Sequence, residues 1–439
     1  MTEFGRYLNQ HVKCSCGQRH FVPIEKIVVD DGALEQLIPY VTTRLPILIV
    51  DDDVTKVVLG DRVEKECCNA FGDSYVHHLT LKNNEHLVAD QVALDTARVA
   101  IEQFGPNIII AVGSGTITDI ARYSSFIADR PFIAVPTAPS VDGYASGVAA
   151  LQLNGMKVTK PAQSPIAIFA LPSILSQAPF ELIQAGFGDL AGKVTSLLDW
   201  KLAHVLYHEN WCDEAFKLVN DPLHFCIAHA EQIKNREGSV ITELFKGLVS
   251  SGIAMAMMGN SRPASGCEHH FSHYWDYKAY LGIRPFRSHG LQVGFATHFT
   301  MRLYEHLAQV GVIHEPTLLS VYPTWMDDLR SRWGDSTDAV SKEQQEKIRW
   351  LKECKNFTSW SNLDGTVLMD KIGVDKAFLR LAHQALLLMS IKDKVPFVDV
   401  DDNLLAETVL HANEVRARFT LLDFYQGQNL LHPEIFIAM

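Results

Sequence analysis

At 439 residues the chain is too long for one ordinary core and suggests about two or three domains. Hydrophobic residues at 47% against charged residues at 21% give the balance of a globular protein and exclude a largely disordered chain. A net charge of -12 disfavours nucleic acid and anionic membrane as partners, so an anionic substrate would need a local positive pocket.

The N-terminal stretch MTEFGRYLNQHVK has no apolar h-region, and no apolar run approaches the roughly 18 residues of a spanning helix. No membrane insertion is expected. The eight cysteines, two of them adjacent at Cys67 and Cys68, make a poor disulfide framework, so a reduced cytoplasmic protein is expected. Cys14, Cys16 and His20 look like a partial metal knuckle, but a fourth ligand is missing nearby in sequence, which counts against that reading.

In chain order, LPILIV at 45–50 predicts a buried strand that ends in the acidic turn Asp51, Asp52 and Asp53. VHHLTL at 76–81 predicts a second strand, and a helical pattern runs from Asp90 to Phe104. NIIIAVG at 107–113 is apolar on both faces, as parallel strands are. FIAVPT at 132–137 and AIFA at 167–170 continue the series. Strand–helix alternation of this kind predicts a doubly wound parallel sheet. After Pro172 the strand runs stop, and apolar residues at spacings of three and four predict about eight to ten helices.

Gly113, Ser114, Gly115, Thr116 and Ile117 follow the strand and open a helix. Such glycines let the backbone approach a pyrophosphate, and the helix N-terminus offers N–H groups to it. The motif lacks the third glycine of the usual fingerprint, and a plain strand-to-helix turn is the alternative. A carboxylate of the 51–53 turn can bond an adenosine ribose and repel a 2′-phosphate. The segment from Pro136 to Ser146, with Asp142 in it, suits a ligand crevice at the strand ends.

Further on, Asp189 stands in GFGDL, and His269 and His273 lie one helical turn apart. His289 opens another helix. One carboxylate and two imidazoles suit a borderline divalent ion with an open position. A non-haem iron oxygenase also fits that donor set, but its chemistry belongs to β-barrels, and this half has no strands.

GSGTITDIAR, PTAPSVDGYAS, GFGDLAGK, SRPASGCEHHFSH and SHGLQVG follow in order the motifs of one family. The sequence resembles the glycerol-1-phosphate dehydrogenases, within the iron-containing alcohol dehydrogenase and dehydroquinate synthase-like superfamily. The likeness runs from His20 to beyond Phe299, and the far C-terminus matches only in being helical. It implies an α/β Rossmann-like dinucleotide-binding domain over 1–175 and an all-α, dehydroquinate synthase-like metal- and substrate-binding domain over 176–439.

Carried over, the resemblance makes Asp189, His269 and His289 the ligands of nickel, zinc or iron. His273 becomes the proton relay, and Asp142 and Asp189 become substrate contacts. Gly113, Ser114, Gly115, Thr116, Ile117, Thr137, Ala138, Ser140 and Ser146 fall around NAD or NADP. Asp52 aligns with the ribose acid, although DDDVT departs from the family's DxNT. Lys193 and Arg262 are candidates for the substrate phosphate. The implied reaction is reduction of dihydroxyacetone phosphate to sn-glycerol 1-phosphate by a cytoplasmic homodimer, with the product available to phospholipid biosynthesis. A sugar-phosphate cyclase of the dehydroquinate synthase type and a glycerol dehydrogenase are the rival readings.

Overall fold

The structure is a computed structural model and describes residues 4–82, 87–153, 156–315, 324–354, 363–395 and 397–432. The chain divides into two compact units, Met1–Leu190 with Asp213–Ser261, and Ala191–Cys212 with Arg262–Met439.

The first unit opens with a small antiparallel hairpin, β1 (His11–Lys13) and β2 (Arg19–Phe21). Its main sheet has β3 (Lys26–Val29), β4 (Ile47–Asp52), β5 (Val76–Leu81), β6 (Ile108–Val112), β7 (Phe132–Val135) and, after a second hairpin, β10 (Ala167–Ala170). The spatial order is β3-β10-β7-β6-β4-β5, and every pairing in it is parallel. Every residue of β4, β6, β7 and β10 is buried, which is why these strands read as unbroken apolar runs. Asp90 caps the helix Gln91–Phe104 by accepting from Ala93 N–H, and Gly105 ends it at a φ of 56°.

Two features escaped the strand pattern. β3 is a four-residue edge strand, and β8 (Val148–Leu153) with β9 (Met156–Pro161) forms a hairpin apart from the main sheet. Both are short of the two-sided burial that makes a run apolar throughout. The sheet core is shared with the helices Ala33–Val41 and Asp61–Phe71, through residues such as Leu37, Val63, Ile49 and Ile110.

Strands do stop at Ala170 among the described residues, and α-helices follow, more of them than apolar periodicity predicts. Gly192 alone separates the helices Phe180–Ala191 and Lys193–Tyr207, a break too brief to register in the pattern. The helix Gly238–Met258 is long and apolar enough to cross a membrane by length and composition. That departs from the expectation of no such stretch, because Glu243 and Lys246 interrupt the run without lowering its mean much. It is 78% buried inside the structure, as a core helix is.

The second unit is helical. Its longest described helices are Lys193–Tyr207, His289–His306 and Thr337–Cys354, and Cys267–Tyr280 carries two of the site histidines. Lys347 reaches Asp423 at 2.8 Å in a buried pair, and Asp423 also closes a capping box with Thr420.

Candidate active site

In the first unit, β4 has β5 on one side and β6 on the other, and β6 leads on to β7. The chain thus leaves β4 and β6 in opposite directions, and the crevice of a doubly wound sheet opens at the carboxyl ends of such a pair. Val50 is in register with Ala111, so the 51–53 turn and the Gly113 turn share that edge.

The helix Gly115–Ile127 begins there with Ser114 as its cap residue, and the Ser114 side chain makes no capping bond. The N–H groups of that first turn are therefore left for an anion. A Cβ on Gly113 would stand 2.6 Å from Cβ of Ile117, and one on Gly115 would stand 3.0 Å from Val141. Glycine is what keeps this turn tight. Thr118 Oγ1 is buried and has no hydrogen-bond partner among the described residues, a polar atom in want of a ligand group.

The three aspartates differ in their surroundings. Asp51 is fully buried, with Oδ2 at 2.6 Å from Nε2 of His78. Asp52 Oδ1 accepts from Val54 N–H (3.0 Å), Thr55 N–H (2.7 Å) and the Thr55 hydroxyl (2.9 Å). Asp53 is exposed. Asp52 thus caps a turn with the oxygen facing those amides.

The 136–146 segment lies against the glycine turn, with Thr137 N–H donating to Gly113 O at 3.4 Å. Ala138, Ser140, Tyr144 and Ser146 are all buried. Arg122, buried in the Gly115–Ile127 helix, pairs with Asp119 and donates to the carbonyls of Gly143, Tyr144 and Val148. It ties the helix to this loop. Asp142 N–H donates to Oδ2 of Asp189 at 3.0 Å, so the loop and the GFGDL helix meet at their acids. A Cβ on Gly186 would come 1.7 Å from Pro139 O, which explains the glycine one turn before Asp189.

In the second unit, the rings of His269, His273 and His289 lie 5.2–6.3 Å apart between centroids. Nδ1 of His269 is 2.7 Å from Oε1 of Glu268. A carboxylate only accepts, so Nδ1 carries the proton and Nε2 the lone pair, the tautomer a metal ligand needs. Nδ1 of His289 is 2.9 Å from the Ser272 hydroxyl. Glu268 also accepts from Gly266 N–H and the Thr195 hydroxyl, each at 2.7 Å. Burial works against its charge, but these hydrogen bonds and His269 hold the carboxyl below its usual range. Asp199, under the same turn, is pushed up to about 7 by burial and by the charge of Glu268.

A second donor set shares His289. His273, Asp276 and His289 each offer a ligand atom within 4.8 Å of the others. Asp276 accepts from Gln292 at 2.7 Å, and Gln292 accepts from Arg284 at 2.7 Å. Arg262 is taken up by Glu209, through Nε at 2.7 Å and through Nη2, and by the Phe419 carbonyl at 2.8 Å. It braces the helices and is not placed as the phosphate anchor expected of it. The Lys193 side chain is wholly buried.

The glycerol-1-phosphate dehydrogenase of Geobacillus stearothermophilus is 34% identical over 382 residues, covering 85% of this chain and 92% of that protein. That of Geobacillus thermodenitrificans is 39% identical, over 82% of this chain and 88% of its own. The chain belongs to the glycerol-1-phosphate dehydrogenase family. The family model for iron-containing alcohol dehydrogenase matches residues 28–179, and an iron-containing alcohol dehydrogenase from Thermococcus thioreducens shares the fold. Its TM-score is 0.58 at 14% identity, over 94% of this chain and 98% of that one.

Three residues around this family's motifs escape the sequence reading. Glu268 stands beside His269 and orients it, Ser272 meets His289, and Arg122 braces the ligand loop. A carboxylate next to a candidate ligand histidine was a signal for the first. Arg122, three residues after Asp119 and so on the same helix face, was a signal for the last.

Proposed function

We propose that this chain is an NAD(P)-dependent, metal-assisted dehydrogenase that reduces dihydroxyacetone phosphate to sn-glycerol 1-phosphate, the activity its relatives are named for. The observation that carries the reading is His269, fixed through Nδ1 by a buried carboxylate and grouped with His273 and His289. On this reading Asp189, His269 and His289 hold one divalent ion, nickel, zinc or iron, and residues 176–439 supply them. Bound there, the ion would supply Lewis-acid polarisation of the substrate carbonyl. The nicotinamide supplies the hydride.

The residues of the chain do the rest. Gly113 to Ile117 hold the pyrophosphate on helix N–H groups within the domain of residues 1–175. Thr137, Ala138, Ser140 and Ser146 shape the wall beside the nicotinamide, and Asp52 meets the adenosine ribose. Asp142 contacts a substrate hydroxyl, and Asp189 contacts substrate as well as metal. His273 returns a proton to the product oxygen, directly or through water. The protein works as a cytoplasmic homodimer, and its product suits phospholipid biosynthesis.

The test is steady-state NADH oxidation with dihydroxyacetone phosphate against dihydroxyacetone, after dialysis and metal add-back. Two charge-assisted hydrogen bonds to phosphate contribute about 1.5–3 kcal/mol each. The kcat/KM ratio is then on the order of 10²–10⁴. Comparable kinetics for the two ketones would point to a glycerol dehydrogenase, and the absence of net NADH turnover would point to a cyclase. Asp276→Asn is expected to keep the metal and Asp189→Asn to lose it, and the reverse outcome would select the second donor set.

A further inference from the structure

The N-terminal hairpin carries a group of metal-ligating side chains for which the dehydrogenase reaction has no use. Cys14, Cys16 and His20 each place a ligand atom within 4.8 Å of the others. The turn between β1 and β2 makes this possible. Gly17 takes a φ of 82°, its N–H donates to Cys14 O at 3.0 Å, and Cys14 N–H donates to Gln18 O at 3.3 Å. The chain thus folds back and brings His20 beside the two thiols.

His20 is 2% exposed, and its ring is oriented from behind. Nδ1 lies 2.7 Å from the carbonyl of Met257, at the end of the Gly238–Met258 helix of the same unit. A carbonyl can only accept, so Nδ1 bears the proton and Nε2 the lone pair. Nε2 is the atom turned to Cys16, with Sγ at 3.2 Å. Sulfur and nitrogen bound to one tetrahedral zinc, at about 2.3 and 2.0 Å, stand about 3.5 Å apart. The pair is within a few tenths of an ångström of that spacing. A backbone carbonyl fixing the tautomer of a coordinating imidazole is what metal-bound histidines require.

The hairpin is also tied to a second helix of the same unit. Glu214, in the first turn of the helix Asp213–Ala228, accepts from Arg6 at 3.2 Å and from the Tyr7 hydroxyl at 3.1 Å. The start of that helix is therefore fixed to the segment that leads into the hairpin. We propose that Cys14, Cys16 and His20 hold a zinc ion. Two thiolates and one imidazole suit zinc, and their place at the turn of a short hairpin gives the ion a structural role. Binding releases the thiol protons and involves no change of oxidation state. Its effect is to pin a hairpin too small to hold itself to the helices behind it.

The site is separable from the dehydrogenase centre because the ligands proposed there, Asp189, His269 and His289, include no thiolate. The full-length protein, purified under reducing conditions, is expected to bind one zinc per chain that a thiol-specific mercurial releases. His269→Ala should leave this zinc in place, and Cys16→Ser should lose it. Cys16→Ser should also keep its metal at the second centre and its NADH oxidation. A His269→Ala protein with no mercurial-released zinc, or a Cys16→Ser protein with unchanged zinc, would overturn the proposal and leave a thiol–imidazole hydrogen bond in its place. Should Cys16→Ser fail to fold, cobalt substitution of the unmutated protein decides. A thiolate-to-cobalt charge-transfer band in the near ultraviolet supports the site, and its absence rejects it.

Discussion

Glu268→Gln is the sharpest perturbation of the metal centre, because it removes a charge while leaving the shape. Oε1 of Glu268 accepts from His269 Nδ1 and Gly266 N–H, and Oε2 accepts from the Thr195 hydroxyl. In the variant the amide oxygen still takes the first two bonds. The amide nitrogen meets Thr195, whose hydroxyl can turn to accept and can donate to Gly192 O, 3.2 Å away. No buried donor is stranded, so the fold should survive with a loss of about 1 kcal/mol. What disappears is the negative charge behind His269, present at neutral pH because the carboxyl lies below its usual range. Removing such a partner typically costs about 10–100-fold in metal affinity. Competition with a chromophoric chelator measures this, with urea unfolding of the same samples as the stability control. An unchanged metal affinity in a normally folded variant would refute the role given to Glu268. It would also weaken the case for His269 as a ligand.

His273→Ala should retain metal and lose roughly 10²–10⁴ in kcat with a flattened pH profile, as expected for a lost proton relay. Wild-type turnover would make it a packing residue. Asp52→Asn keeps a capping side chain and loses the charge. It should reduce any preference for NADH over NADPH in kcat/KM by about 10- to 100-fold. Burial holds His298 down to about 4, against hydrogen bonding to the Ile391 carbonyl. The folded state therefore binds fewer protons than the unfolded chain between that value and the ordinary histidine pKa near 6.5. Stability is full above about pH 6.5 and falls by about 3 kcal/mol as the pH drops to 4. His298→Gln should flatten that part of the urea-unfolding profile, and an unaltered slope would mean that another group carries it.

The chain order of motifs was legible without any fold. Unbroken apolar runs announced β4, β6, β7 and β10 because both faces of a central parallel strand are buried. The glycine turn was legible because Gly113 and Gly115 stand where a Cβ would crowd Ile117 and Val141. His269 and His273 could be placed on one face because helical spacing alone does that. The edge strand β3 and the β8–β9 hairpin could not be read, since half-buried short strands leave little pattern.

Tertiary structure decided the rest, because it depends on which distant side chains are brought within a hydrogen bond. Arg262 looked like a phosphate anchor until Glu209, 53 residues away, was found on its guanidinium. The Gly238–Met258 helix has the composition of a spanning segment, and only its packing makes it core. The same holds for Cys14, Cys16 and His20. A knuckle short of a ligand in sequence gains its meaning from a carbonyl at Met257, 237 residues on, which fixes the proton on one nitrogen and turns the other toward sulfur. Residue type and local spacing are written along the chain, whereas proton positions and spent donors depend on partners that only folding supplies.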